Sequence, residues 1–249
     1  MFRVAVLLLL ALGALAARAQ PVTIAAAADL QHALPEIDKA RAGGNGAALT
    51  NIVYGSSGLL YRQIVQGAPF EIFLSADEAL AERLVAQGLA EGPGTVYGVG
   101  RLALMLPRAS AAYLGDPKAA LVGGDFRRLA IANPDHAPYG RAAIQALSRL
   151  GLADRYQAGR LLLGENIAQA ARFVLDGGAD AGIVALAVAL GAGDKARYAV
   201  LPAELHAPIR QRMVLIGKAR PAARDVYAWL GSPEARRILL RHGFEPPGT

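Results

Sequence analysis

The stretch VTIAAAADLQHALPEI, residues 22–37, decides the fold of this chain. Its first three residues, Val22-Thr23-Ile24, are typical of a buried strand, and a run of alanines follows them. From Asp29 onward the apolar residues fall at helical spacing, and Asp29 occupies the position of a helix cap. A strand that leads through a short turn into a helix is the repeating unit of α/β proteins.

The same unit recurs along the chain. Residues 51–54 (NIVY) precede the turn GSSG at 55–58, and residues 71–74 (EIFL) precede Ser75-Ala76-Asp77. A segment rich in glycine and proline follows at 88–100, and further strand and helix units lie beyond it. This pattern predicts an α/β protein whose chain divides into two lobes near that segment.

The turns after the predicted strands are candidate anion sites. Ligands of open α/β sheets bind at the carboxyl ends of strands, where helix N-termini present free N–H groups. The turn at 55–58 offers two hydroxyls and glycines that let a ligand approach the backbone. Serine, aspartate and asparagine are also the ordinary capping residues of helices, so the residues alone leave anion binding and plain capping equally open.

The N-terminus has the pattern of a secretory signal peptide. Arg3 precedes an apolar stretch from Val4 to Ala17, which is shorter than a membrane span, and small residues surround Arg18. We predict cleavage after residue 19, which lowers the formal charge from +6 to +4 because Arg3 and Arg18 are removed. The absence of cysteine excludes disulfides and a lipid-bearing cysteine, so we expect a soluble periplasmic protein that is not lipid-anchored. The sequence lacks a run of basic residues with interleaved aromatic residues, the pattern that would suggest nucleic-acid binding.

Several stretches together resemble the periplasmic molybdate-binding proteins of ABC importers, over nearly all of the mature chain. They are VTIAAAADL at 22–30, YGSSG at 54–58, QGAP at 66–69, FLSADE at 73–78, NPDHAPYG at 133–140, ENI at 165–167, GIV at 182–184 and HGF at 242–244. The resemblance implies a periplasmic-binding-protein fold of type II. In this fold each lobe is a mostly parallel sheet flanked by helices, and a hinge joins the lobes. We place lobe 1 at 20–98 and 210–249, and lobe 2 at 99–209.

The resemblance also implies the binding site and the partners. Molybdate or tungstate would be held by neutral hydrogen-bond donors, so molybdenum has no direct protein ligand and no cofactor is needed. The expected ligand-binding residues are Asp29, Ser57, Ala76, Tyr139 and Ile167, and the supporting residues are Ala28, Ser56 and Asn166. The partners would be an ABC permease and its ATPase subunit, and the binding protein itself is expected to be a monomer and not an enzyme.

Two positions depart from the family pattern. Many members have serine at the position of Asp29, and a tyrosine at the position of Ala185. A branch of the family takes its tyrosine from the Ala-Pro-Tyr-Gly turn, so Tyr139 is expected to replace the missing hydroxyl. An ionised Asp29 would repel a dianion. We expect its carboxylate to cap its own helix, and keep a protonated Asp29 and a different ligand as alternatives.

Other functions remain as alternatives. The ligand could be sulfate, phosphate or an organic anion. A secreted hydrolase would use Ser56 or Ser57 as its nucleophile, but GSSG lacks the nucleophile-elbow pattern and the spacing offers no evident base. The four histidines are scattered without metal-ligand spacing, and His136 is expected to be a loop residue beside the site.

Overall fold

The computed structural model describes residues 20–43, 50–112, 114–156 and 159–248. The predicted signal peptide, residues 1–19, lies outside this part of the chain. The strands, in chain order, are β1 (Val22–Ala27), β2 (Thr50–Gly55), β3 (Ile72–Ser75), β4 (Ala90–Gly100), β5 (Leu102–Pro107), β6 (Leu129–Ala132), β7 (Leu161–Gly164), β8 (Ala181–Ala185), β9 (Ala196–Val200) and β10 (Ile209–Ile216). Among the described residues, no helix is long and apolar enough to cross a lipid bilayer.

The α-helices lie between and after these strands. They are α1 (Ala33–Arg41), α2 (Ser57–Val65), α3 (Glu78–Ala86), α4 (Pro117–Gly123), α5 (Pro138–Arg149), α6 (Ile167–Leu175), α7 (Leu186–Gly191), α8 (Pro221–Leu230) and α9 (Pro233–Arg241). Short 3₁₀ turns span Ala28–Leu30, Gly193–Lys195 and Ala203–Leu205. Each of α2, α3 and α6 begins within a few residues of a strand end, as the repeating unit predicts.

The strands form two sheets with the same arrangement. The first has the order β2-β1-β3-β10-β4 and the second the order β7-β6-β8-β5-β9. In each sheet three neighbouring strands pair in parallel, and one strand, β10 or β5, runs against its two neighbours. The two sheets flanked by helices confirm the predicted two-lobed α/β fold.

Two chain segments connect the sheets. The first is Arg101 alone, between β4 and β5, and the second is the stretch 201–208 between β9 and β10. They lie side by side, because the Leu201 N–H donates to the Leu102 carbonyl at 2.9 Å and the Arg101 guanidinium donates to the Leu201 carbonyl at 3.1 Å. Adjacent crossing segments of this kind are suited to act as a hinge.

The core of each lobe consists of small and aliphatic side chains. Strands β1, β3, β5, β6 and β8 are buried over almost their entire length, which explains their continuous apolar sequences. Alanines of β1 and of its exit turn pack against residues of the second lobe, including Ala27 and Ala28. Small side chains at this point let the two lobes approach each other closely.

Candidate functional site

A small buried cavity lies between the lobes at the carboxyl ends of strands from both sheets. Its volume is about 10 Å³, and it is lined by Ala27, Ala28, Asp29, Gly55, Ser56, Ser57, Ala76, Ala137, Pro138, Tyr139 and Ile167. Five of these, Asp29, Ser57, Ala76, Tyr139 and Ile167, are the residues that the sequence singled out. A cavity needs about 10–15 Å³ to hold one water molecule, so the donors must move apart to admit a tetrahedral oxyanion.

Lobe 1 contributes a hydroxyl and a backbone amide that already contact each other. Helix α2 begins at Ser57, and the Ser56 side chain before it accepts a hydrogen bond from the Leu59 N–H at 3.4 Å. The Ala76 N–H donates to the Ser57 Oγ at 2.9 Å. This bond uses the oxygen of Ser57, so its hydroxyl hydrogen remains available to a ligand.

Lobe 2 contributes the first turns of two helices. Helix α6 begins at Ile167, and the Asn166 side chain accepts hydrogen bonds from the Ala168 and Gln169 N–H groups, both at 3.0 Å. This cap leaves the Ile167 N–H to a ligand. Asn166 itself lies in a neighbouring cleft with Ala28, so its supporting role is to fix the helix end. Helix α5 begins at Pro138 and carries Tyr139 in its first turn. The positive ends of the helix dipoles thus approach the cavity from both lobes.

Asp29 is fully buried and does not cap a helix, so the predicted capping role is wrong. It lies in the 3₁₀ turn Ala28–Leu30, and helix α1 begins only at Ala33. The Asp29 Oδ2 accepts hydrogen bonds from the Tyr139 hydroxyl at 2.8 Å and from the Gln211 Nε2 at 2.6 Å. Its Oδ1 is buried without a hydrogen-bond partner. The 3₁₀ turn places the carboxylate opposite Tyr139 of the other lobe.

The surroundings of Asp29 change its acidity. Burial raises the pKa of its carboxyl from 3.8 to about 6, although hydrogen bonds from Gln211 and Tyr139, and the nearby backbone N–H groups of Asp29 and Leu30, act in the opposite direction. Burial and then the nearby Asp29 hold the pKa of the Tyr139 hydroxyl well above its usual value, and the same holds for Tyr97. Both phenols therefore act as neutral hydrogen-bond donors.

Gln211 and Tyr97 complete this network, and no local sequence pattern points to either residue. Gln211 is fully buried on β10 and also donates to the Tyr139 hydroxyl at 3.0 Å. The Tyr97 hydroxyl donates to the Gln211 Oε1 at 2.6 Å. The amide orientation of Gln211 is thereby fixed, with its carbonyl towards Tyr97 and its NH₂ towards Asp29. A Cβ on Gly100 would lie 2.1 Å from the Tyr139 hydroxyl, so only glycine fits beside it.

Besides the hydrogen bonds of Tyr139 to Asp29 and Gln211, further contacts hold the lobes together around the cavity. The Gly58 N–H of α2 donates to the His136 carbonyl at 2.9 Å, and the Ser56 Oγ lies 2.8 Å from the His136 Nδ1. At the other side, Arg141 of α5 forms an ion pair with Asp77 at 2.5 Å. His136, which was expected to be a loop residue only, therefore contacts lobe 1 through both its backbone and its ring.

The contact between Ser56 and His136 also bears on the hydrolase alternative. It gives Ser56 a histidine that the sequence spacing did not reveal. In the described residues, however, the His136 ring has no carboxylate hydrogen-bonded to it, and Ser56 is 4% exposed and caps α2. A nucleophile needs a base that is itself oriented by a third group, so the pair resembles a contact between lobes more than a catalytic one.

The described lining of the cavity carries no positive side chain. Among the described residues that line it, none is a lysine or arginine, and Asp29 is the one ionisable carboxyl. The described part of the chain also contains no group of three or more histidine, cysteine, aspartate or glutamate side chains that could hold a metal ion. The chemistry that these donors support is reversible binding of a small anion through neutral dipoles.

Two hinged lobes that close over a cavity lined by N–H and hydroxyl donors define the class of two-lobed solute-binding proteins. The profile of the bacterial extracellular solute-binding protein family matches residues 22–245, and the chain belongs to this family. This identification agrees with the resemblance carried by the GSSG and APYG turns.

Several relatives of this chain are named after the ligand that they bind. The molybdate-binding protein ModA of Azotobacter vinelandii is 37% identical over 95% of this chain and 96% of its own length. ModA of Rhodobacter capsulatus is 37% identical over 93% of this chain and 90% of its own. The solved structure of the periplasmic molybdate-binding protein of A. vinelandii aligns with a TM-score of 0.83 and 33% identity, over 91% of this chain and 99% of that one. The predicted resemblance to molybdate-binding proteins is therefore confirmed.

Proposed function

We propose that this protein captures molybdate or tungstate between its lobes and delivers the anion to an ABC transporter. The observation that carries the proposal is the meeting of neutral donors from both lobes in one buried cavity, whose described lining residues include no cationic side chain. Ser57 and Ala76 belong to lobe 1, and Tyr139 and Ile167 belong to lobe 2. The names of the relatives from A. vinelandii and R. capsulatus support the choice of molybdate.

Binding begins on one lobe and ends with closure. The oxyanion first meets the donors of lobe 1, where the Ala76 N–H exchanges the Ser57 Oγ for a ligand oxygen. Rotation about Arg101 and the 201–208 segment then brings the Ile167 N–H onto a remaining oxygen. The Tyr139 hydroxyl has one hydrogen, so it turns this hydrogen from the Asp29 Oδ2 to the ligand, and the Gln211 Nε2 continues to donate to Oδ2. The moving units are the predicted ones, 20–98 with 210–249 and 99–209, with each boundary shifted by one or two residues to the end of β4 at Gly100 and the start of β10 at Ile209. The closed form is the signal that the transporter recognises.

Neutral donors also select the ligand. A fully deprotonated tetrahedral dianion can accept a hydrogen bond at every oxygen. An oxyanion that still carries a proton would place its own O–H against the N–H groups of Ala76 or Ile167, which leaves donors facing each other. Molybdate and tungstate share size and charge, so the donors named here do not discriminate between them.

The cellular setting follows from the family and from the N-terminal sequence. We propose that residues 1–19 are removed on export and that the protein acts in the periplasm as a monomer without a lipid anchor. Its partners are a membrane permease and the ATPase subunit of that transporter. It has no catalytic role and needs no cofactor, since molybdate is its cargo.

Calorimetric titration tests the ligand. The purified protein is titrated with molybdate, tungstate, sulfate and phosphate, and the first two are expected to bind tightly. Ser57→Ala removes one hydroxyl donor to a charged ligand and should weaken molybdate binding about 10-fold to 150-fold, from about 1.5–3 kcal/mol for such a bond. If both group-six oxyanions fail to bind while sulfate, phosphate or an organic anion binds, the ligand assignment is wrong.

A further inference from the structure

Asp29 is the feature of the cavity that the proposed function does not explain. A carboxylate that lines a site for a dianion opposes the binding for which the other donors are suited. Its burial is complete, and no lysine or arginine among the described lining residues offsets its charge. The two oxygens of Asp29 are, however, in very different situations.

The Oδ2 atom is saturated by neutral donors. It accepts from the Tyr139 hydroxyl at 2.8 Å and from the Gln211 Nε2 at 2.6 Å, and Tyr97 fixes the Gln211 amide in this orientation. The Oδ1 atom is buried and has no hydrogen-bond partner. A proton added to Asp29 would therefore reside on Oδ1, where it breaks no existing bond and turns an acceptor into a donor.

We propose that Asp29 takes up one proton from solvent as the oxyanion binds, and that the Oδ1–H then donates to the ligand as a further neutral donor. This inference rests on the proposed function, because it concerns the same dianion in the same cavity. The bound complex then carries the two charges of the ligand instead of three. Asp29 thus makes capture of the anion dependent on pH, in a range set by this one carboxyl.

The other titratable groups near Asp29 do not provide an alternative source of this dependence. Tyr139 and Tyr97 are neutral, because burial holds the pKa of each phenol well above its usual value. The elements packed against the Ala28–Leu30 turn bring further side chains: Tyr54 of β2, Arg172 of α6 with Glu165 just before and Asp176 just after this helix, no titratable residue of α7, and His32 beside the turn itself. None of these donates to or accepts from Asp29 in a described hydrogen bond.

The size of the expected pH effect follows from the pKa of Asp29 in the unliganded protein. Burial raises the pKa of Asp29 to about 6, so at pH 7 about nine-tenths of the unliganded protein is ionised at this site. Binding near pH 7 should consume about 0.9 proton per anion. The affinity should be constant well below about pH 6 and fall about 10-fold per pH unit above it, so that at about pH 8 it is about 100-fold below its low-pH value.

Calorimetry measures this uptake directly. Molybdate is titrated into the protein in buffers with different ionisation enthalpies, and the slope of the observed enthalpy gives the number of protons taken up. Asp29→Asn is the neutral isostere, with its amide NH₂ at the position of Oδ1. It should take up no proton, lose the pH dependence and bind about 100-fold more tightly than the wild type at about pH 8. Asp135→Asn removes an exposed carboxyl near α5 and should retain the uptake and the slope of the wild type.

Each outcome decides the inference. Zero uptake by the wild type, or an equal slope in Asp29→Asn, overturns it while leaving molybdate as the ligand. Tight phosphate binding in place of molybdate at about pH 8 would mean that an ionised Asp29 accepts from a ligand hydroxyl, which also overturns it. Absence of molybdate binding at every pH overturns the proposed function and this inference together. The uptake measured on the wild type needs no variant, so misfolding of Asp29→Asn would not obscure the answer.

Discussion

Replacing Gly58 with alanine should impair closure without harming lobe 1. Gly58 lies in the first turn of α2, and its N–H donates to the His136 carbonyl of lobe 2 at 2.9 Å. A Cβ at this position would lie 2.6 Å from the His136 carbonyl oxygen and 3.0 Å from its Cα. Both distances are too short, and the obstacle is backbone, which cannot swing aside as a side chain can. Lobe 2 must therefore stop short of its closed position.

The cost can be worked out from the bonds that closure makes here. Gly58→Ala separates the Gly58 N–H from the His136 carbonyl, and the Ser56 Oγ from the His136 ring. At about 0.5–1.5 kcal/mol for each bond, the closed state loses about 1–3 kcal/mol, which corresponds to about 5-fold to 150-fold weaker binding. The unliganded variant should unfold at the wild-type temperature or slightly above, because alanine favours helix over glycine by about 1 kcal/mol.

Isothermal titration with molybdate and a thermal melt of the free protein measure the two effects. Gly123→Ala is the matched control, since Gly123 also lies in a helix and a Cβ there meets nothing within 4 Å. Its affinity should equal that of the wild type. Wild-type affinity in Gly58→Ala would refute the reasoning, because the lobes would then not need this contact to enclose the ligand.

Three further changes test the network and the lobe contacts. Tyr139→Phe removes the hydroxyl that donates to Asp29 and accepts from Gln211, and should weaken molybdate binding about 10-fold by calorimetry; unchanged binding would exclude Tyr139 as a donor. Asp29 holds its proton up to about pH 6 in the folded state but only to 3.8 when unfolded, so its contribution to the free energy of unfolding falls as pH rises between these values. Denaturant titration should show Asp29→Asn gaining about 2–2.5 kcal/mol over the wild type between about pH 4 and about pH 8, and a constant difference would contradict the raised pKa. Arg141→Gln breaks the ion pair with Asp77 and should weaken binding about 2-fold to 5-fold at low salt, with a smaller effect at high salt; a salt-independent loss would point to packing instead.

The repeating unit was predictable because its signals are local. The apolar run of β1 and the hydroxyl turn before α2 each lie within a few residues, and each forms the element that its own sequence favours. Strand β4 was not predicted, because its sequence AEGPGTVYGVG has the glycine and proline content of a loop. It becomes a strand by pairing with β10, which lies more than a hundred residues away. The glycine at position 100, where this strand ends, is explained by sterics, because the Tyr139 hydroxyl occupies the space that a side chain would need.

The hydrogen-bond partners of Asp29 could not be predicted from the neighbouring sequence. Its partners Tyr139 and Gln211 are 110 and 182 positions away in sequence, and only the packing of β10 and α5 against the Ala28–Leu30 turn brings them together. The sequence therefore predicted the donors that helix N-termini supply, but assigned the carboxylate to a cap. When a side chain can bond either to the neighbouring backbone or to distant residues, the buried partners are favoured, because a hydrogen bond is stronger where water is excluded. For Asp29 these buried partners are Tyr139 and Gln211.

The central claim is that neutral donors from both lobes surround one oxyanion. Anomalous diffraction from crystals grown with molybdate locates the molybdenum atom directly. We expect one strong peak in the cavity, with ligand oxygens within hydrogen-bond distance of Ser57 and Ala76 on one side and of Tyr139 and the Ile167 N–H on the other. A molybdenum atom held by one lobe alone, or by lysine or arginine side chains elsewhere, would contradict the account.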